Sequence, residues 1–303
     1  ISCFRDSMLS FQRLGKGGIM LGQIIINGIL MGFIYALVAV GLTLTWGVMD
    51  ITNFAHGELL MLGMYSSFWM FQLYSVDPLL SIPISAAILF ILGVIVYKLI
   101  IKKVLGGNGL TALLATFGLS MFLKNLAQFL WTPNYRYING AMVTDNKIVI
   151  GNIILGMPQV VAAIGSIIMT LVVIRFMNNT KTGKAIQATA LNRSTASLMG
   201  IDTDKIYAIT FGLSGACVGV AGALMSSFFP IYPQSGSLYS IIAFVIVALG
   251  GFGNIKGALF AGLIIGLTEA IGGYFLGTQF KYAIVFLIYL IVIQVRPKGL
   301  FGW

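Results

Sequence analysis

The chain has 303 residues, of which 58% are hydrophobic and 9% charged. Soluble domains carry about 25% charged residues, so a water-exposed surface cannot be assembled from this composition, and the apolar content is too high for a disordered chain. Lys and Arg outnumber Asp and Glu by 18 to 8, but the basic residues fall between apolar runs, as in the cytoplasmic loops of a membrane protein, and no nucleic-acid partner is expected.

A bilayer core of about 30 Å takes roughly 20 apolar residues as helix. Charge-free runs of that order extend from Lys16 to Asp50, Glu58 to Asp77, Asp77 to Lys98, Lys103 to Lys124 and Lys147 to Arg175. The run from Lys205 to Lys256 is long enough for two helices, with Pro230, Pro233 and Gly236 marking a turn between them. Gly257 to Phe280 is interrupted by Glu269 alone, and Tyr282 to Val295 is short but suffices for a tilted or shallow helix. The expected fold class is therefore all-α, a polytopic membrane helical bundle of eight or nine segments; the short alternating segments of a β-barrel are absent from the sequence.

If the segments alternate, Lys98, Lys102 and Lys103 share a side with Arg175, Lys181, Lys184, Arg193, Lys205, Lys256, Arg296 and Lys298, against Arg136, Lys147 and Lys281 on the other. The richer side is placed in the cytoplasm. Nine crossings then put the amino end outside, in conflict with Arg5, Arg13 and Lys16. Either residues 1–19 are a non-native extension, with Met20 the start, or one short segment does not cross. The expected organisation is an extension at 1–19, one membrane domain at 20–299 with a basic loop at 178–205, and a tail at 300–303.

The first polar break, Asp50-Ile51-Thr52-Asn53-Phe54-Ala55-His56-Gly57-Glu58, holds the sole histidine of the chain. Asp50, Thr52 and Asn53 are N-cap types, so a helix is expected to restart there. Polar groups at membrane depth are costly and face a cavity or a partner helix, and helices broken near the midplane are a transporter device. Asn53, His56, Gly57 and Glu58 are therefore candidate pathway residues; the plain alternative is a helix cap wetted at the interface. A second break, Gly250-Gly251-Phe252-Gly253-Asn254, also lies between two apolar runs. Paired interruptions point to internal repeats around a pathway, which adds Gly250, Gly251, Gly253 and Asn254. Glu269, inside a span, is a further candidate, with structural pairing to a Tyr or Lys the alternative. Small-residue seams at Gly28/Gly32, Gly215/Gly219 and Gly262/Gly266 let helices approach closely. One histidine and two scattered cysteines make no metal site, and no GxxxxGK[ST] phosphate loop occurs.

From Asn178 to Lys205 the chain turns polar, with Ala185, Ala188, Ala196 and Leu198 suiting short helices, Gly200 a helix stop, and Asp202 or Thr203 a cap. On the basic side, such a segment either docks into a groove of a soluble partner or is an ordinary surface loop.

Three strings resemble the permease subunit of branched-chain amino acid ABC importers: Asn53-Phe54-Ala55-His56-Gly57-Glu58 with Met61-Leu62-Gly63-Met64-Tyr65; Thr182-Gly183-Lys184-Ala185 leading to Ser197-Leu198-Met199-Gly200-Ile201-Asp202; and Ala248-Leu249-Gly250-Gly251-Phe252-Gly253-Asn254-Ile255-Lys256-Gly257-Ala258. The resemblance runs from about Met20 to Gly299. It implies that Gly183, Lys184, Ala185, Gln187, Arg193, Leu198 and Gly200 belong to the segment that couples to the ATPase, and that the breaks near Asn53 and Gly250 line the pathway. The partners implied are two cytoplasmic ATPase subunits, which bind the ATP so that this chain carries no cofactor or catalytic residue of its own; a second, related permease; and an external solute-binding protein. The location implied is the cytoplasmic membrane. Two alternatives differ in consequence: a urea or short-amide importer of the same family, and a proton-driven secondary transporter using His56, Glu58 and Glu269 as carriers.

Overall fold

The computed structural model describes residues 2–107, 109–141, 146–150, 153–277, 279–296 and 299–301; of residues 2–19 and of Ile150 the backbone alone is described. Among them the chain forms eleven helices: α1 (Ser2–Met49), α2 (His56–Tyr74), α3 (Pro78–Val104, with a π-helical turn at Tyr97–Ile101), α4 (Gly109–Trp131), α5 (Met157–Asn179), α6 (Lys181–Leu191), α7 (Arg193–Leu198), α8 (Thr203–Met225), α9 (Ser235–Gly250), α10 (Ile255–Leu276) and α11 (Lys281–Val295). Six stretches are long and apolar enough to cross a membrane: Met20–Met49 of α1, and α3, α4, α5, α8 and α10. The shorter α2, α9 and α11 complete the bundle expected from the charge-free runs.

Two segment readings change. The run from Lys147 to Arg175 is not one helix from its start: Lys147–Ile150 (β1) and Ile153–Gly156 (β2) form an antiparallel hairpin, with Lys147 opposite Gly156, before α5 begins at Met157. Lys124 does not end the fourth span but lies inside α4, seven residues short of Trp131. The charge lies within the helix and does not mark its end.

The ends of the bundle segregate as alternation requires. Lys102 of α3 pairs with Asp204 of α8 at 2.7 Å, and the Arg193 guanidinium lies 5.2 Å from the centre of the Tyr207 ring. At the opposite end the Arg136 backbone bridges Ile231, and Gln23 donates to the Ile154 carbonyl. Each of the six long helices joins the two ends, and Met20 of α1 lies at the end opposite the basic one.

Small residues set the closest packing. α1 runs antiparallel to α10, and α3 antiparallel to α8. A Cβ added at Gly266 would strike the Gly28 carbonyl and the Gly32 backbone, and one at Gly215 the Leu89 carbonyl. In lipid there is no hydrophobic drive between helices, so backbone proximity and dispersion carry association. Ser85 Oγ adds a bond to the Gly219 carbonyl at 2.9 Å, between α3 and α8. Gly266→Val is expected to destabilise the bundle by at least the ~1–3 kcal/mol typical of overpacking, seen as a lower thermal midpoint of the purified protein in detergent; an unchanged midpoint would place the α1–α10 contact elsewhere.

The order long helix, break, shorter helix, long helix occurs twice, in α1–α3 and in α8–α10, and the two sets run in opposite directions through the bundle. Their long helices pack crosswise, α1 on α10 and α8 on α3. This is the arrangement of an inverted repeat. The segment corresponding to Asp50–Ala55 is thus the α8–α9 connection around Pro230 and Pro233, and not the Gly250–Asn254 break.

Candidate functional site

α1 ends at Met49, and Asp50 takes a left-handed φ of 53° that turns the chain back into the bundle. The returning segment climbs beside α4. Thr116 Oγ1 donates to the Thr52 carbonyl at 2.9 Å, and Phe54 meets the Phe117 ring edge-on at 6.2 Å between centroids. α2 then restarts at His56, deeper than Asp50 or Thr52 would have placed it. No side chain caps the helix directly; instead Asn53 Oδ1 accepts from the Ala55 N–H at 3.1 Å, which tightens the turn before it. Asn53 is buried and serves the backbone here.

The first turn of α2 lies against the first turn of α9. The Gly57 N–H donates to Ser240 Oγ at 2.8 Å, and a Cβ at Gly57 would fall on the Gly236 carbonyl. Only two glycines permit this crossing. Glu58, the next residue, is buried, and its Oε1 accepts from Ser120 Oγ at 3.1 Å and Ser237 Oγ at 3.2 Å. Ser120 is the midpoint of the 23-residue α4, which puts the carboxyl beside the middle of a helix long and apolar enough to cross a membrane. Two helix N-termini converge on it, and their partial positive charge favours an anionic group at that point. Glu58 Oε2 has no hydrogen-bond partner among the described residues.

His56 and Glu58 do not act on the same space. Two residues on a helix are about 200° apart, so they face opposite sides of α2. The His56 Nε2–H donates to the Val38 carbonyl of α1 at 2.8 Å, and the ring is fully buried in the bundle. A carbonyl only accepts, which fixes the proton on Nε2. Glu58 faces α4 and α9, where a pocket of about 240 Å³ is lined by Phe54, Phe117, Phe244, Lys124 and Ser240 among others.

The other sequence candidates lie apart from this point. Gly250 is 14 residues along α9 from Gly236, about 21 Å away, at the basic end. There Gly253 packs on Gly47, Phe252 stacks on Trp46 at 4.5 Å, and Asn254 caps α10 by accepting from the Gly257 N–H at 3.0 Å while donating to the Phe301 carbonyl at 3.0 Å. Gly251 adopts a φ of 97° at the end of α9. The second break therefore closes the basic end and does not meet the first. Glu269 accepts from Lys281 Nζ at 2.7 Å, linking α10 to α11.

At the basic end, α6 and α7 form a compact lever between α5 and α8. Thr180 caps α6 by accepting from the Gly183 N–H at 2.9 Å, and Gly183 sits where any Cβ would strike the Phe176 carbonyl. Gln187 Nε2 donates back to the Met177 carbonyl at 3.2 Å, and Ala185 packs against the core. Asn192 caps α7, accepting from the Thr195 N–H at 3.1 Å. Gly200 has φ 81°, and the Ile201 N–H reaches the Ala196 carbonyl at 3.1 Å, which stops α7 as the sequence suggests. Asp202 caps α8. Its carboxyl is held below the usual carboxylate range, first by the Lys205 backbone N–H and also by the Lys205 ammonium at 3.3 Å.

The outer face of this lever is apolar. Leu191, Leu198 and Met199 are 89%, 87% and 79% exposed, and Leu191 and Met199 line a groove of about 230 Å³ with Ala188, Thr195 and Ile201 among others. Leu191 and Met199 had no signal in the sequence beyond being large apolar residues in a polar loop. Ser120, Lys124, Gly236, Ser237 and Ser240 were also missed. Lys124 carried a usable sign, a lone charge within an apolar stretch; the serines carried none.

Residues 24–294 match the family model described as the branched-chain amino acid transport system permease component. The chain is 32% identical over 300 residues to the high-affinity branched-chain amino acid transport system permease protein LivH of Escherichia coli strain K12, covering 92% of this chain and 95% of that protein. It is 30% identical over 293 residues to the corresponding permease protein BraD of Pseudomonas aeruginosa, with the same coverage. The probable branched-chain amino acid transport permease protein LivH of Methanocaldococcus jannaschii is 31% identical over 310 residues, covering 97% and 95%. With six spanning helices, a twice-broken bundle and a match along nearly its whole length, this chain is a multi-pass membrane protein that belongs to the branched-chain amino acid transport permease family.

Proposed function

We propose that the chain is the membrane-spanning permease of an ATP-driven importer that carries branched-chain amino acids across the cytoplasmic membrane. One observation supports this above the others. An apolar face is presented at the basic end on a capped lever, anchored by Gly183 and Gln187 to α5 and by Asp202 to α8. Exposed large apolar residues beside a groove are what a soluble partner binds. The partner is a cytoplasmic ATPase, one for each of two permeases, which binds and hydrolyses the ATP. Its closure moves α6 and α7, and with them α5 and α8, so that the pathway opens to alternate sides.

The second permease covers the flank formed by α4. Lys124 lines a pocket there, and Asn125 and Gln128 are exposed at membrane depth. Polar side chains facing hydrocarbon are costly, so this flank faces a water-filled path shared with the related subunit. An external solute-binding protein delivers the amino acid to the end opposite the basic one. Proteoliposomes holding the chain with its ATPase, second permease and binding protein are expected to accumulate labelled leucine when ATP is enclosed on the ATPase side. Accumulation of urea without leucine would replace the substrate assignment.

A further inference from the structure

The pocket between α2, α4 and α9 holds one carboxylate and one ammonium. Glu58 is 1% exposed and is braced by Ser120 and Ser237 through one oxygen, while the other, without a hydrogen-bond partner among the described residues, lies against Gly236. Lys124 lines the same pocket one turn along α4 from Ser120, and among the described residues no ion pair joins it to Glu58. Phe54, Phe117, Ile241 and Phe244 form the remaining wall. At about 240 Å³ the space falls below the roughly 300–1,000 Å³ of drug-sized sites, so it suits one small molecule.

The buried carboxyl and the ammonium make no direct ion pair with each other among the described residues, so a ligand that bridges them gains a contact with each. A small molecule carrying both charges and an apolar group would complete both at once. We propose that this pocket is the permease's own binding site for one zwitterionic, apolar amino acid, with its ammonium on Glu58, its carboxylate on Lys124 and its side chain against the phenylalanines. The site rests on the transport reading above and adds to it: the permease itself reads the charge pattern of the cargo rather than acting as a passive conduit. A charge-assisted hydrogen bond at each end supplies the orientation. Uncharged amides of similar size lack both groups, and sugars lack the apolar one.

The test is substrate protection of a pocket cysteine. In a Cys3→Ser, Cys217→Ala background, Met121→Cys is labelled in liposomes with a charged methanethiosulfonate reagent, without the binding protein. Leucine at millimolar concentration is expected to slow labelling several-fold. 3-Methylbutylamine, which lacks the carboxylate, and 4-methylpentanoate, which lacks the ammonium, are expected to leave it unchanged at the same concentration. Lys124→Met should abolish protection by leucine, and Lys124→Arg should restore it. Equal protection by the one-charge analogues, protection surviving in Lys124→Met, or none by leucine at all would overturn the site. Because the assay reads occupancy and not uptake, a transporter that moves leucine without this protection refutes the pocket and leaves the transport reading standing.

Discussion

Glutamate placed at both Leu191 and Leu198 is expected to abolish ATP-driven uptake while the protein still folds and inserts. Both side chains are nearly fully exposed and lie outside the packed core, and surface substitutions of that kind usually shift stability by within about 0.5 kcal/mol. At an interface the same residues are apolar anchors, whose truncation costs about 2 kcal/mol or more when they are hot spots. Burying two carboxylates without partners is costlier still. The double variant should therefore purify like the wild type yet fail to retain the ATPase, and uptake in proteoliposomes should fall to background. The fold around α6 and α7 would be retained, because Gly183, Gln187 and Asp202 still hold these helices in place. Wild-type uptake by the double variant would remove the coupling role from α6 and α7.

Gly57→Val is expected to disrupt the centre of the bundle. Its Cβ would fall on the Gly236 carbonyl and against Ser240 Oγ, which also accepts the Gly57 N–H. Backbone cannot yield as a flexible side chain can, so α2 and α9 must separate and Glu58 loses its place beside Ser237. Overpacking costs about 1–3 kcal/mol where side chains can adjust, and more is expected here. Gly118→Ala provides the comparison: a Cβ there meets nothing within 4 Å, and alanine favours the helix by about 1 kcal/mol over glycine. Thermal unfolding in detergent should show a large drop for Gly57→Val and none for Gly118→Ala. Equal midpoints would mean that the crossing does not bear on stability.

Much of the bundle was legible because one rule governs it: charge is costly in hydrocarbon, so charge-free runs mark helices. The same rule fails where a charge lies inside a long apolar helix. Lys124 reads as a boundary in the sequence because a lone charge at the end of an apolar run and a charge inside a span have the same local pattern. The hairpin at Lys147–Gly156 was absorbed into a span because Ile148, Val149, Ile150, Ile153, Ile154 and Leu155 are as apolar as a helix core, and a short apolar run does not distinguish strand from helix.

The first break was legible at Glu58 and Gly57, where polarity and glycine coincide in an apolar chain. Its partner was misassigned. Gly250 to Asn254 looks like a break by composition, but its glycines serve a tight turn at the membrane end, at φ 97° for Gly251 and 79° for Gly253. The connection near Pro230 and Pro233, which by position and direction matches the first break, reads in the sequence as a simple turn. What decides between them is the depth at which each break lies, and depth follows from tertiary contacts that no local pattern carries. The basic loop is the reverse case. Gly200 and Asp202 are local capping signals, and each acts in the structure as its chemistry suggests, while the caps at Thr180 and Asn192 emerge only from the structure.

The most direct measurement compares accumulation of labelled leucine in vesicles holding the permease pair with and without the ATPase subunits, in each case with ATP, an imposed proton gradient and an uncoupler as separate variables. Accumulation that requires the ATPase and ATP, and persists in the uncoupler, is the predicted result. Accumulation by the permeases alone, driven by the proton gradient and abolished by the uncoupler, would contradict it.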